Sequence, residues 1–441
     1  MASQTSGAQE SGSAGRFVYD NIIESDRKSS KKTSDKTGHG PGRTLKQKFR
    51  LLELLPAKQP HEPIICQLRT SRLDKEEKTY EALSYVWGDD RHEFDIRVGE
   101  KRLSVTHNLH TALRHLRRED KGEGEGGGEG GGKSEGERQG EREGERQGKR
   151  TMWIDALCIN QGNQDEKEAQ LAIMPDIYNR AERVVVWLGP AANNSDLAMA
   201  FIKGKGAKDA KENTSQKDQK GAQGKKAKKP DKNEEIRERI TQEPENRLRR
   251  ALVAIMEREY WTRVWVVQEI VKATKIELVC GESSTSWEDA TVVINEFLKS
   301  REAPFTSEGR LLKRTHMSSE TWAMPTSSLT TLGHLAGYRE TKEGERGPDW
   351  LMNMFVQLRR FKSTKQNDKI FSIVGLRDPT LFKKSESFEN PDIPDLSQFE
   401  YSWSFREVSL RLFKNFIFTQ RKQGTGSKRA IGSMNILYVI S

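Results

Sequence analysis

Polar residues that can do chemistry gather at a few points of this chain. Asp89 and Asp90 follow an apolar run and Gly88. Asp155 sits inside or near the end of a second apolar run, with Asn160 and Gln161 just past it. If both runs are strands of an open parallel sheet, these groups lie beyond the carboxyl ends of the strands, where such sheets bind ligands. The plainer alternatives are a solvated turn for Asp89 and Asp90 and a buried hydrogen-bond acceptor for Asp155. Trp265 and Glu269 are four residues apart and share a helix face. A carboxylate there can stabilise positive charge developing on a ligand. The alternative is a structural Glu269 held by Arg263 or another Arg.

Other chemistries lack their parts. His107, His110 and His115 fall on one helix, without cysteine or carboxylate partners at ligand spacing, so no metal site is expected. There is no GxxxxGK[ST] phosphate loop and no GxSxG nucleophile elbow. A GxGxxG match at Gly122–Gly127 lies in a low-complexity run and carries no weight. A metal-dependent nuclease built on Asp89 and Asp155 stays open as a further alternative. The tryptophans Trp87, Trp153, Trp187, Trp261 and Trp265 read as core or crevice wall rather than a stacking platform.

The elements that must position these groups follow from pattern. Tyr80–Trp87 reads as a strand, and Phe94–Val98 and Lys101–Val105 as a hairpin about Gly99-Glu100. Thr106 is placed to cap a helix that puts Leu109, Leu113 and Leu116 on one face. Met152–Ile159 reads as a buried strand. Asp165–Arg180 reads as a helix that Pro175 should kink or shorten, and Arg183–Leu188 as the next strand. Helices are expected at Leu248–Glu257 and Thr262–Lys272, then a strand at Ile276–Cys280 and a helix opening at Ser286 and Asp289. The alternation predicts an α/β fold, a mostly parallel sheet flanked by helices. Beyond about residue 300 the signals are mainly helical, at Trp350–Phe361, Asp368–Gly375 and Ser402–Phe416.

Three stretches cannot bury enough apolar surface to offset ordering. Residues 1–43 read as a disordered basic tail. Residues 121–150 hold 12 Gly, 8 Glu and 7 Lys/Arg and no apolar residue, and residues 203–240 are Lys-rich. Both of the latter read as inserts in a domain spanning 44–300, with 301–441 a separate, mainly helical region. The net charge of +10 invites a nucleic-acid reading. Yet 27–50 contribute a net +8 and 203–232 a net +7, so the rest of the chain sums to −5. The basic charge marks solvated segments, capable at most of weak contact with nucleic acid or an acidic surface. Cys66, Cys158 and Cys280 are far apart with no CxxC spacing, which fits free buried thiols in a reducing compartment. No apolar run is long enough for a signal peptide or a membrane span. A cytoplasmic protein is the expectation.

Several words of the sequence, in fixed order, resemble the heterokaryon-incompatibility (HET) domain family of fungi. YEALSYVWGDD at Tyr80–Asp90 resembles its opening motif and WIDALCINQ at Trp153–Gln161 its second. Gln170–Gly189 resembles the third and RVWVVQEI at Arg263–Ile270 the fourth. Phe49–Cys66 is similar to the usual lead-in and DKIFSIVGL at Asp368–Leu376 to a later motif. The chain departs from the pattern at Asn367, where the family often has Arg, and at Pro175; the tail after about Arg421 resembles nothing known. The resemblance implies a role in self/non-self recognition and induced cell death, with death following from assembly of the domain through self-association or a second incompatibility or receptor-type protein, and with an NAD-cleaving enzyme as the alternative. It also implies a distant similarity to TIR domains, which are flavodoxin-like. Some TIR domains hydrolyse NAD with the Glu of a W-x-x-x-E helix, and Trp265 with Glu269 fits that pattern. By that resemblance Glu269 would be catalytic, acting on an oxocarbenium-like transition state of the kind glycosidases use. Trp265, Arg263, Asp155, Asp89, Asn160 and Gln161 would line the substrate site. NAD would be a substrate, and no cofactor is implied.

Overall fold

The computed structural model describes residues 15–23, 47–88, 93–117, 148–204, 247–302, 335–341 and 361–376, with positions 236, 237, 240, 350, 354, 358, 403, 404 and 406–409. Nine strands form one sheet: β1 Lys48–Leu54, β2 Ile65–Arg72, β3 Glu81–Ser84, β4 Glu93–Val98, β5 Lys101–Thr106, β6 Arg150–Trp153, β7 Arg183–Trp187, β8 Ile276–Cys280 and β9 Ser283–Ser286. Their order is β5-β4-β2-β1-β6-β3-β7-β8-β9. The helices described are α1 His107–Leu116, α2 Asp155–Cys158, α3 Gln164–Arg180, α4 Arg247–Met256, α5 Val266–Lys272, α6 Trp287–Glu302 and α7 Asp368–Val374.

The fold is α/β, but the sheet is mixed, which corrects the mostly parallel sheet expected. Strands β6, β3, β7 and β8 run parallel. Antiparallel pairs extend this core: β1 joins β6 and β2 on one side, and β9 joins β8 on the other. The outer pairs are hairpins, and a two-residue connection such as Gly99-Glu100 forces its strands antiparallel. Gly99 takes the left-handed conformation that turn needs (φ 58°).

Several local expectations agree with the structure. The Thr106 side chain accepts the Leu109 N–H and so caps α1, whose Leu109, Leu113 and Leu116 are buried. Asp289 N–H donates to Ser286 Oγ at the start of α6 (3.1 Å). Pro175 neither ends nor shortens α3; the helix continues through it to Arg180, with Pro175 buried.

Others need correction. Met152–Ile159 is not one strand: β6 ends at Trp153 and the chain coils into the single turn α2. The Asp155 side chain drives this break, because its Oδ1 accepts the next N–H, that of Ala156 (2.8 Å). Helix α5 starts at Val266 rather than Thr262. A 3₁₀ turn at Glu259–Thr262 precedes it, and Arg263 bridges in extended conformation to Lys362.

The proposed boundaries also move. Residues 15–23, placed in a disordered tail, lie on the fold: Phe17 N–H donates to Arg102 O (2.8 Å), Tyr19 OH to Leu157 O (3.1 Å), and Ile22 is buried. The apolar residues of FVYDNII supply the burial that the rest of that segment lacks. Arg150, counted in the insert 121–150, opens β6; Ile236 and Ile240, counted in 203–240, are buried. Residues 118–147 and 205–235 lie outside the described residues, as does most of 301–441. Within that last region, helix is described at 335–340, at 350, 354 and 358, in α7 and at 406–409.

At the amino ends of the parallel strands a carboxylate sits between two arginines. Glu81 on central β3 accepts from Arg150 of β6 and from Arg183 Nε of β7 (2.6 Å). Burial would raise its carboxyl, but the two guanidiniums hold it below the usual range. Arg150 Nη1 also donates to Leu116 O (2.9 Å), so the chain leaves α1 and re-enters β6 at one place. Replacing residues 118–147 with a short Gly/Ser loop is therefore expected to move the thermal midpoint by only about a few degrees, since loop-closure cost changes slowly with length. Scanning calorimetry checks this; a collapse of the folded protein would mean that α1 and β6 depend on the run between them.

Candidate functional site

A cleft of about 690 Å³ opens at the carboxyl ends of β3 and β6. Three kinds of element make it: the strand ends (Val86, Trp87, Gly88 and Asp155), helices α3 and α5, and the segment 362–368 from far down the chain. Local sequence explains the first wall. After Ser84 the chain leaves the sheet, and Gly88 turns through φ 82°. Asn108 on α1 fixes this stretch, donating from Nδ2 to Val86 O (2.5 Å) while its Oδ1 accepts from Trp187 Nε1 (3.0 Å).

The structure brings together Glu269, Arg263, Asp155, Trp265 and Gln161, all of which line the cleft. It does not bring Asn160 in. The Asn160 N–H donates to Glu166 Oε1 (2.8 Å) and its side chain accepts from Gly162 N–H (3.2 Å), so it serves the turn into α3. Asp89 and Asp90 lie outside the described residues.

Glu269 hangs from α5 one turn after Trp265, and its N–H donates to Trp265 O (3.1 Å). Only 3% of its surface is exposed. The Ser84 hydroxyl, at the end of β3, donates to Glu269 Oε2 and lies 2.6 Å from Tyr260 OH. Arg263 donates from Nη1 to Tyr85 O, which ties the approach to α5 onto the end of β3. Asp155 Oδ2 accepts from Trp87 Nε1 (2.9 Å), and its carbonyl accepts from Gln161 Nε2 (2.9 Å). Asp155 and Arg263 are half-buried, and both stand on the cleft wall.

Two carboxylates thus lie within the electrostatic reach of one guanidinium on the wall of one cleft. Burial pushes Glu269 up to about 7; Arg263 and the Ser84 hydrogen bond pull it down, and the charge of Asp155 pushes it up. Burial also raises Asp155, against the pull of Arg263 and of Trp87 Nε1–H. Burial alone would lower Arg263, but Glu269 and Asp155 outweigh it and hold the guanidinium charged. A carboxyl that titrates near neutrality inside a cleft can hold or accept a proton during a reaction, and such perturbed groups cluster at functional sites.

This geometry lies inside a region with known relatives. Residues 80–123 and 142–269 match the family described as heterokaryon incompatibility protein (HET). The chain carries a HET domain. The gap in the match, 124–141, falls within the Gly/Glu-rich run, while the sheet itself extends past the matched residues at both ends, from Lys48 to Ser286. Heterokaryon incompatibility protein 6, OR allele, of Neurospora crassa is 33% identical over 159 residues. That alignment covers 34% of this chain and 20% of the relative, so the chain spans only about a fifth of the relative's length. No solved structure matches the chain.

Some residues that support the cleft of the HET domain were not legible as site residues in sequence. Ser84 and Tyr260 bond behind Glu269, and Asn108 holds Val86 and Trp187, but nothing in their local sequence marks these roles. Lys362–Asp368 lies about a hundred residues beyond Arg263 and outside the family match. Among the described residues no group of three or more His, Cys, Asp or Glu is placed to hold a metal ion, and no helix is long and apolar enough to cross a membrane.

Proposed function

We propose that this protein acts in heterokaryon incompatibility as a cytoplasmic effector of non-self recognition that triggers or controls programmed cell death. In this reading the HET domain does so by hydrolysing the N-glycosidic bond of NAD or a related nucleotide. The observation that carries it is the position of Glu269: buried, bonded by Ser84, close to Arg263 and Asp155, and one helical turn from Trp265 on the wall of one cleft. The order of the parallel strands supports a flavodoxin-like, TIR-like core. Numbered among themselves, β6, β3, β7 and β8 run 2-1-3-4 across the sheet, as in doubly wound folds, and the cleft opens at the carboxyl end of the first.

The chemistry balances simply. Water bonds to the ribosyl carbon as its bond to nicotinamide breaks, and the bond's electron pair neutralises the pyridinium nitrogen. The leaving group needs no proton. The transition state carries positive charge on the sugar, which ionised Glu269 stabilises while accepting a ribose hydroxyl. The water's proton passes to the carboxylate and then to solvent. Because the ionised form acts, nicotinamide release should rise with pH and reach half its plateau near pH 7, the value to which Glu269 is pushed. Purified, clustered full-length chain incubated with NAD tests this, with nicotinamide followed by chromatography from pH 5.5 to 8.5. Release that is absent at every pH sinks the enzymatic reading.

The second reading is that assembly alone delivers the signal, through self-association or a second incompatibility or receptor-type protein. It is favoured by the 159-residue match being only 20% of the relative, as suits a module switched by what it is joined to. On that reading enforced dimerisation in cells kills even when Glu269 is replaced.

A further inference from the structure

The floor and the rim of the cleft differ in chemistry. On the floor, Glu269 and Asp155 each have hydrogen-bond donors and feel the charge of Arg263. Towards the rim stand Lys167 of α3, half-buried, and Lys362, exposed. Neither ammonium makes an ion pair among the described residues. The other ionic lining residues are Glu259, Lys365 and Asp368. Asp368 is buried, and both it and Lys365 already have polar interactions of their own.

Two buried polar atoms in the same cleft also lack partners among the described residues: Ser363 Oγ and Gln161 Oε1. Buried polar atoms are as a rule satisfied, so an unsatisfied pair lining one cleft marks where a ligand's polar groups belong. The wall that carries Ser363 is firmly placed. Lys362 N–H donates to Thr262 O (2.6 Å) and Val264 N–H donates to Lys362 O (3.0 Å), on either side of Arg263. Segment 362–364 is therefore bolted to the strand that presents Arg263, although it lies outside the family match.

We infer that Lys167, Lys362 and the Ser363 hydroxyl form an anion subsite that receives phosphate groups, the diphosphate of a nucleotide whose sugar lies over Glu269. This rests on the nucleotide reading above and assigns part of its specificity, through Lys362 and Ser363, to residues beyond the family match. Two point charges and one hydroxyl donor suit a diphosphate, and charge-assisted hydrogen bonds are the stronger kind. Gln161 Oε1 remains to accept from a hydroxyl.

Binding of ADP, adenosine and inorganic pyrophosphate to the full-length chain tests the subsite, by calorimetry at low salt. ADP should bind at least about ten-fold tighter than adenosine, and pyrophosphate should displace it. The Lys167→Met/Lys362→Met double variant should lose about ten-fold or more in ADP affinity, leave adenosine unchanged and no longer bind pyrophosphate. Ser363→Ala should give a smaller loss in the same direction. Near-equal affinity for ADP and adenosine overturns the inference, as does undiminished ADP binding by the double variant or no binding of any probe to the wild type. Lysine-dependent ADP binding without NAD turnover would keep the subsite and remove the hydrolase. NAD turnover with a KM indifferent to the lysine changes would do the reverse.

Discussion

Glu269→Gln should abolish NAD turnover and, at pH 8, make the protein more stable. Both effects have one cause. Burial pushes the Glu269 carboxyl from its ordinary value of 4.5 up to about 7, so the folded state binds a proton that the unfolded chain gives up between those values. A raised acid opposes folding once ionised, and stability falls as pH rises from about 4.5 through about 7. Gln keeps an acceptor for the Ser84 hydroxyl and never ionises. It should therefore gain on the order of 2–3 kcal/mol at pH 8, roughly 5–10 °C in midpoint, and much less at pH 5. Turnover should fall at least about a hundred-fold, as for loss of one transition-state electrostatic contact. Paired measurements of nicotinamide release and calorimetric midpoint at the two pH values decide it. A variant that stays active, or is destabilised equally at both pH values, would mean that Glu269 is a structural partner of Arg263. Killing by the inactive but stable variant under enforced dimerisation would favour assembly.

Breaking the pair Arg50–Glu166 should be the most destabilising single change in the described fold. Arg50 on β1 donates from Nη1 to Glu166 Oε1 (2.5 Å) and from Nη2 to Oε2 (3.1 Å), and both side chains are buried. The same guanidinium donates to Cys158 O (3.1 Å) and Asp20 O, and it stacks over the Tyr19 ring. One side chain thus joins residues 15–23, the sheet, the turn after α2 and the first turn of α3. Removing one partner of a buried pair leaves an uncompensated charge and costs about 3–5 kcal/mol. Arg50→Met should lower the midpoint by roughly 10 °C or more. Arg50→Met/Glu166→Gln, which keeps an acceptor for Asn160 N–H, should recover at least about half of that loss. Chemical denaturation of the single and double variants measures the coupling; strict additivity would show that the pair contributes nothing as a pair.

What sequence reveals and conceals here follows from range. The hairpin about Gly99, the Thr106 cap, helix α3, strands β7 and β8 and the Ser286 start of α6 rest on residues within a few positions of each other, and all were legible. The run Met152–Ile159 reads as one strand because its apolar residues, interrupted only by Asp155, are too few to show a helical period, while the bond from Ala156 N–H to Asp155 Oδ1 bends the chain there. Strand β1 hides for the same reason: Phe49–Leu55 is almost continuously apolar. In the cleft, spacing correctly places Glu269 one turn after Trp265. It cannot show that Ser84 meets Glu269 or that Lys362 stands on the same cleft as Asp155, because those residues lie more than a hundred positions apart. Nor does it show which way Asn160 turns, although its partners Gly162 and Glu166 are near in sequence. The direction of a polar side chain is a tertiary fact.

Strand β3 has no neighbour when it leaves the ribosome. Its partners are β6 and β7, which begin at Arg150 and Arg183, while β1 and β2 can already pair with each other. At roughly 5–20 residues per second, several seconds pass before Val184–Val186 emerge to cover it. For that interval an apolar strand with two bare edges, Ala82 and Leu83 among its residues, is open to other chains. Parallel pairs bridged by such long crossovers close late. The nascent chain is thus a natural client for a holding chaperone, and synthesis without one should yield more aggregate the longer the delay between Ser84 and Arg183.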